Sequence, residues 1–244
     1  MATAPLGSFC WPERGTGDLE RTCAFYAGLF GWTYEEVPSA GGTYRFARLG
    51  GDRVAGVLRL PQGAPRWNSY VRVAETDASA ARAEALGGRL LAGPFEVPGV
   101  GRMAFLEDPG GAPLGLWQAR GHAGATCFEV PGTLAWTELR TPEADAATAF
   151  HAALFGWTPR PRMEAPRPYV EFLSAGRPVA GLLPSEHRPS AWLPYFAVPD
   201  PGVALRRVQA LGGRVVVPAT ALPGVGTFAL FADPEGVQGG LLVL

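Results

Sequence analysis

The stretch Phe25-Tyr26-Ala27-Gly28-Leu29-Phe30-Gly31-Trp32 returns as Phe150-His151-Ala152-Ala153-Leu154-Phe155-Gly156-Trp157, an offset of 125 residues. The same offset carries Ala85-Leu86-Gly87-Gly88-Arg89 onto Ala210-Leu211-Gly212-Gly213-Arg214, Trp11 onto Trp136, Glu13 onto Glu138, Ala55-Gly56 onto Ala180-Gly181, Tyr70 onto Tyr195, and Asp108-Pro109 onto Asp233-Pro234. A long, constant period without insertions marks a duplicated structural unit. The expected division is 1–120 and 130–244, joined by a linker at 121–129 whose Gly121, Gly124 and small neighbours suit an exposed connection.

Each half carries a fainter repeat of its own. Phe9–Glu13 reads as a strand, Asp18–Phe30 as a helix, and three short runs to Leu60 as strands; Trp67–Val73 then starts the cycle again. Thr141-Pro142-Glu143 and Asp200-Pro201 read as helix starts with a capping side chain and a proline at the first helical position. Gly87 and Gly212 read as left-handed helix stops. The fold expected is therefore α+β, four βαβββ units in tandem.

The residues that punctuate these units carry a resemblance. Asp18-Leu19-Glu20-Arg21, the helix ending Leu29-Phe30-Gly31-Trp32, and the closing turns Asp108-Pro109-Gly110-Gly111 and Asp233-Pro234-Glu235-Gly236 resemble the vicinal oxygen chelate superfamily of glyoxalases, bleomycin-resistance proteins and dioxygenases. The resemblance covers nearly the whole chain. It implies that paired units curl into two cup-shaped domains, and that metal-dependent members place a His or Glu on three strands inside each cup. Here those positions fall on Trp11 and Trp136, on Asn68 and Leu193, and on Gly115 and Gly240. Imidazole and carboxylate donors are what a divalent transition metal requires, so no metal ligand and no cofactor are expected. The three histidines, His122, His151 and His187, stand at no chelating spacing.

Strand alternation then lines the cups differently. Residues two apart share a face, so Trp11 and Glu13 point into one cup and Trp136 and Glu138 into the other, with Tyr70 and Tyr195 inward beside Asn68 and Leu193. Arg72 and Trp117 are extra inward residues of the first half and favour its cup as the working site; Glu171, in place of Phe46, argues for the second. The glycines at 115 and 240 are expected to leave room. An apolar, aromatic cavity with a few polar groups suits a planar or polycyclic small molecule. Trp67 and Trp192 have the opposite parity and are expected to face the helices as core. A carboxyl group inside such a cup requires a partner or a raised pKa, which makes Glu13 and Glu138 the candidate acid–base groups. The structural alternative is a buried ion pair, Glu13 with Arg72. Cys10, expected to face away from Trp11, and Cys23 have no histidine nearby in sequence, so neither reads as a nucleophile.

Bulk properties exclude other classes. The chain has 244 residues, net charge −1 and 47% hydrophobic residues, with its arginines scattered and no lysine at all, so the basic footprint of a nucleic-acid binder is missing. No apolar run approaches the roughly 18 residues of a membrane span. Three cysteines at no framework spacing and a start without signal-peptide features imply a cytoplasmic protein. Internal duplication supplies paired units within one chain, which accommodates a monomer or a homodimer.

Two functions suit this lining. One is a metal-independent cyclase, isomerase or lyase of bacterial specialised metabolism acting on an aromatic or polyketide-like metabolite. Glu13 or Glu138 would move a proton there, and Trp11, Asn68, Tyr70, Arg72, Trp117, Trp136, Glu171 and Tyr195 would hold the ligand. The other is a binder that sequesters a drug or signal without turnover. A metal-dependent glyoxalase or dioxygenase is the remaining alternative.

Overall fold

In the computed structural model, the described residues are 4–39, 42–60, 62–162, 168–186, 188–222 and 226–243. His187 and residues 223–225 lie outside them. Four βαβββ units follow one another. The first is β1 (Phe9–Thr16), α1 (Leu19–Phe30), β2 (Thr33–Ser39), β3 (Gly42–Leu49) and β4 (Asp52–Arg59). The second is β5 (Arg66–Arg72), α2 (Thr76–Ala85), β6 (Arg89–Val97), β7 (Gly101–Glu107) and β8 (Pro113–Ala119). The third is β9 (Leu134–Thr141), α3 (Ala144–Phe155), β10 (Thr158–Pro161), β11 (Val170–Ser174) and β12 (Arg177–Pro184). The fourth is β13 (Ala191–Ala197), α4 (Pro201–Ala210), β14 (Arg214–Leu222), β15 (Gly226–Ala232) and β16 (Gln238–Leu242).

The units pair within each half. The first eight strands form one sheet in the order β2-β3-β4-β1-β5-β8-β7-β6, and the last eight a second in the matching order. The seam of each sheet is antiparallel, β1 with β5 and β9 with β13, and sets Glu13 opposite Asn68 and Trp11 opposite Tyr70. That register brings the floor of each cup to the middle of the sheet.

The helices occupy the other faces. α1 packs on α4 and α2 on α3, so each buried core draws on both halves. Gly28 permits the approach: a Cβ there would come within 2.7 Å of Leu211. Trp67 and Trp192 face the helices as their parity implies, packing on Tyr26 and His151. The Phe-Gly-Trp helix ends are reciprocal ties. Gly31 and Gly156 take left-handed stops, and the following indoles of Trp32 and Trp157 donate to the carbonyls of Gly132 and Gly7 at the entry to the other half's first strand.

The helix starts hold in part. Asp18 and Asp200 cap α1 and α4 by accepting from Arg21 and Val203 N–H groups, and Gly87 and Gly212 have the expected positive φ. α3 departs from expectation. It is capped at Glu143, one residue past the proline, without a capping side chain. Thr141 Oγ1 instead accepts from the Glu143 N–H in the turn before the helix.

A buried charge cluster joins the halves. Arg14 on β1, with 0% side-chain exposure, donates through Nε and Nη2 to Asp233 Oδ2 at 3.0 and 2.7 Å and through Nη2 to Glu235 at 2.6 Å. Tyr26 adds its hydroxyl at 3.1 Å. The corresponding turn residue of the first half, Asp108, meets His151 at 3.1 Å, with Leu139 standing in the place of Arg14. The Asp-Pro turns therefore hold the halves together as well as reversing the chain. Replacing Arg14 by Leu strands a buried carboxylate, so a loss of about 3–5 kcal/mol is expected in urea unfolding. Adding Asp233→Asn is expected to recover a measurable part of it.

Candidate functional site

Each cup has a glutamate at its floor, held by a tyrosine from the partner strand beside an indole–tyrosine pair. In the first, Glu13 accepts from the Tyr70 hydroxyl at 2.8 Å and Asn68 Nδ2 at 3.2 Å on one oxygen and from the Tyr44 hydroxyl at 3.1 Å on the other. Tyr44 in turn accepts from the Trp11 indole N–H at 2.9 Å. In the second, Tyr195 donates to Glu138 at 2.9 Å, and the Trp136 indole N–H donates to Tyr169 at 2.9 Å. Trp11, Glu13, Asn68, Tyr70, Trp136, Glu138 and Tyr195 are thus brought together as alternation implies.

Glycines create this arrangement by close approach. A Cβ on Gly56 or Gly181 would collide with the hydroxyl of Tyr44 or Tyr169 and stand 2.9 Å from the paired indole nitrogen. A Cβ on Gly115 or Gly240 would strike the ring of Tyr70 or Tyr195. The expected room at 115 and 240 is therefore occupied by tyrosine rings.

Three residues of this network escape the reading of the sequence. Tyr44 and Tyr169 are related by the 125-residue offset, but placing them needs the β3–β4 and β11–β12 registers. Arg140 lies two residues beyond Glu138 and shares its face. Its Nε donates to Glu138 at 3.0 Å and its Nη2 to the Tyr195 hydroxyl at 2.9 Å. Its counterpart in the first half is Gly15, so the repeat does not signal it.

The other candidates distribute as follows. Arg72 does not pair with Glu13: its Nη1 donates to the Ala4 carbonyl at 2.7 Å, tying the N-terminal segment to the sheet. Trp117 packs in the first cup, but its N–H is taken by the His122 carbonyl at 2.8 Å. Cys10, expected on the face opposite Trp11, joins the same cluster; the register of β1 on β5 shifts between Phe9 and Trp11. Burial pushes its thiol up to about 12, which leaves almost no thiolate at neutral pH. Glu171 is buried at the wall of the second cup and paired with Arg160, with Arg162 at 3.6 Å.

The cups differ in what covers them. The linker returns across the first: Arg120, Gly121 and His122 all donate to the Val100 carbonyl, and Ala125 donates to Cys10. This seats the His122 imidazole against Trp11 at 4.6 Å, Phe46 at 5.3 Å and Trp117 at 6.0 Å. Its Nε2 is buried without a partner, and burial with the nearby Arg53 holds its pKa down to about 4. Trp11 is 5% exposed beneath it, whereas Trp136 is half-buried.

A model of the glyoxalase-like domain matches residues 14–116 and again 136–241. The chain belongs to the glyoxalase-like family. Among its relatives, CFP32 of Mycobacterium tuberculosis, which carries a glyoxylase name, is 38% identical over 236 residues, covering 93% of this chain and 90% of its own. The anthracycline biosynthesis protein DnrV of Streptomyces peucetius is 32% identical over 252 residues, covering 94% and 90%. The fold is shared with the Mn(II)-bound glyoxalase of Novosphingobium aromaticivorans (TM-score 0.70, 17% identity, 98% of this chain and 82% of that one). It is shared too with the 2,3-dioxygenase LapB of Pseudomonas sp. KL28 (TM-score 0.68, 13% identity, 100% and 94%).

The residues at the cup floors of this glyoxalase-like chain do not fit a divalent metal. Each carboxylate is surrounded by phenols, an indole, and either an amide or a guanidinium whose charge opposes a cation's. Among the described residues, no three His, Cys, Asp or Glu side chains converge.

The two glutamates also differ electrically. Burial raises the pKa of Glu13 above the ordinary carboxylate range, opposed by the hydrogen bonds from Tyr70, Asn68 and Tyr44. Glu138 has the Arg140 guanidinium as a counter-charge. Because the folded state favours protonated Glu13, native stability falls as pH rises from the ordinary glutamate value of about 4.3 through the raised folded value. Glu13→Gln does not titrate. Its stability relative to the parent chain is therefore expected to climb across that window and level off above it, as read from urea midpoints at pH 4, 6 and 8.

Proposed function

We propose that this chain is a metal-independent small-molecule-handling protein of bacterial specialised metabolism whose working site is the second cup. The observation that carries the reading is the Glu138–Arg140–Tyr195 group beside a half-buried Trp136, in the cup that His122 does not cover. An indole wall supplies planar contact area, and a few fixed polar groups orient what lies on it. Kinship with a protein named for anthracycline biosynthesis supports an aromatic or polyketide-like ligand.

The chemistry that suits this group is proton transfer. Glu138 would accept a proton from carbon beside a carbonyl, the electron pair moving onto the carbonyl oxygen, and would return the proton at another position. Arg140 would stabilise the oxygen as charge develops. This places the chain among cyclases, isomerases or lyases. The first cup, filled by its own aromatic side chains and by His122, serves as scaffold.

Titration with planar aromatic metabolites tests the reading. Saturable quenching of tryptophan fluorescence is expected, largely lost in Trp136→Phe and retained in Trp11→Phe. Glu138→Gln is expected to bind with little change but to slow product formation by about 100-fold or more. Unchanged ligand recovered from the parent protein would make it a binder. Stoichiometric metal in protein purified without chelator would overturn the metal-independent reading.

A further inference from the structure

The 125-residue offset makes the two cups a comparison in which the Trp, Glu and Tyr of the floor are shared while the residues around them vary, Asn68 against Leu193 among them. Arg140 stands where the first half has Gly15, Arg160 where it has Glu35, Arg162 where it has Val37, and Glu171 where it has Phe46. The first cup packs Val37, Phe46 and Tyr44 together around one glutamate, with Arg53 over the Phe46 ring at 4.0 Å and Arg66 donating to Asn68 at 3.1 Å. The second has three arginines against two glutamates.

The positions of these arginines are set by the sheet. β9 carries Trp136, Glu138 and Arg140 on one face, and Arg160 pairs across β10–β11 with Glu171. Arg140 is 15% exposed, held by Glu138 and Tyr195 through Nε and Nη2. Among the described residues its Nη1 has no partner. Such a guanidinium is an ordered donor whose orientation is fixed before any ligand arrives, and its remaining N–H groups suit a carboxylate or phenolate oxygen. Arg160 and Arg162 share the single carboxylate of Glu171, leaving the rim cationic. A local excess of positive charge beside an aromatic wall attracts anions and repels cations.

We infer that the second cup selects a planar aromatic ligand carrying an ionised acidic oxygen, a carboxylate or phenolate, and that Arg140 is the residue that reads that charge. This rests on the second cup being the ligand site. It assigns to Arg140 a specificity role distinct from the proton-moving role of Glu138. The first cup has Gly15 at the same position.

The test uses two near-isosteric probes, 2-naphthoate and 2-naphthamide, titrated calorimetrically into the full chain at pH 7.5. The parent protein is expected to bind the carboxylate at least tenfold more tightly than the amide, with the preference shrinking as salt is raised. In the Glu138→Gln/Arg140→Gln double variant, which leaves no lone buried charge, the two probes are expected to bind within twofold of each other, the loss falling on the naphthoate. Arg140→Lys is expected to keep part of the preference. Equal affinity of both probes for the parent protein, each abolished by Trp136→Ala, would overturn the charge assignment while leaving the cup as the site. A full preference surviving in the double variant would overturn the role of Arg140. Binding of neither probe would overturn the inference and the choice of cup together.

Discussion

A carboxylate on the central strand of a closed sheet face has to be satisfied by its neighbours, because water cannot reach it freely and an unpaired buried charge is costly. Much of the cup architecture answers that requirement. Tyr70 and Tyr195 come in from the antiparallel partner strand, and Tyr44 and Tyr169 from beyond β4 and β12. The indoles of Trp11 and Trp136 anchor the second pair of hydroxyls, and four glycines surrender the space that these rings need. That the arrangement occurs twice, 125 residues apart, marks it as the organising device of the fold rather than an accident of one cup.

Once the floor is fixed, the halves diverge in the donor that completes each glutamate. Asn68 gives Glu13 a neutral amide from β5; Arg140 gives Glu138 a cation from its own strand. Burial raises the pKa of Glu13 despite its neutral donors, whereas Glu138 has a guanidinium bonded beside it. The same division appears between the halves, where Arg14 completes Asp233 and His151 completes Asp108. In both places one copy of the duplication carries a guanidinium that the other lacks, so the symmetry of the backbone coexists with an asymmetric charge distribution.

Most of the fold was legible in the sequence because its signals are local or periodic. The offset gives the duplication, alternation gives the inward face of β1, β5, β9 and β13, and Gly31, Gly87 and Gly212 mark helix ends. The candidate site was legible only where those signals suffice. Tyr44 and Tyr169 needed inter-strand register, which short-range pattern does not encode. Arg140 obeyed alternation, but Gly15 in the other copy removed the repeat that drew attention to its neighbours. Arg72 shares the inward parity, but its bond to the backbone carbonyl of Ala4, which arrives from a distant segment, has no sequence signature. The seating of His122 depends on a linker that folds back across the sheet by hydrogen bonds to Val100 and Cys10, a return with no sequence signature of its own.

The central claim is that the two cups, alike in backbone, are unlike in use. Incorporating 5-fluorotryptophan gives each of the seven indoles its own fluorine resonance, assignable by single Trp→Phe variants. On addition of a planar aromatic acid, the account predicts that the Trp136 resonance shifts saturably while those of Trp11 and Trp117 stay in place. A saturable shift confined to Trp11 and Trp117, with Trp136 unmoved, would contradict it.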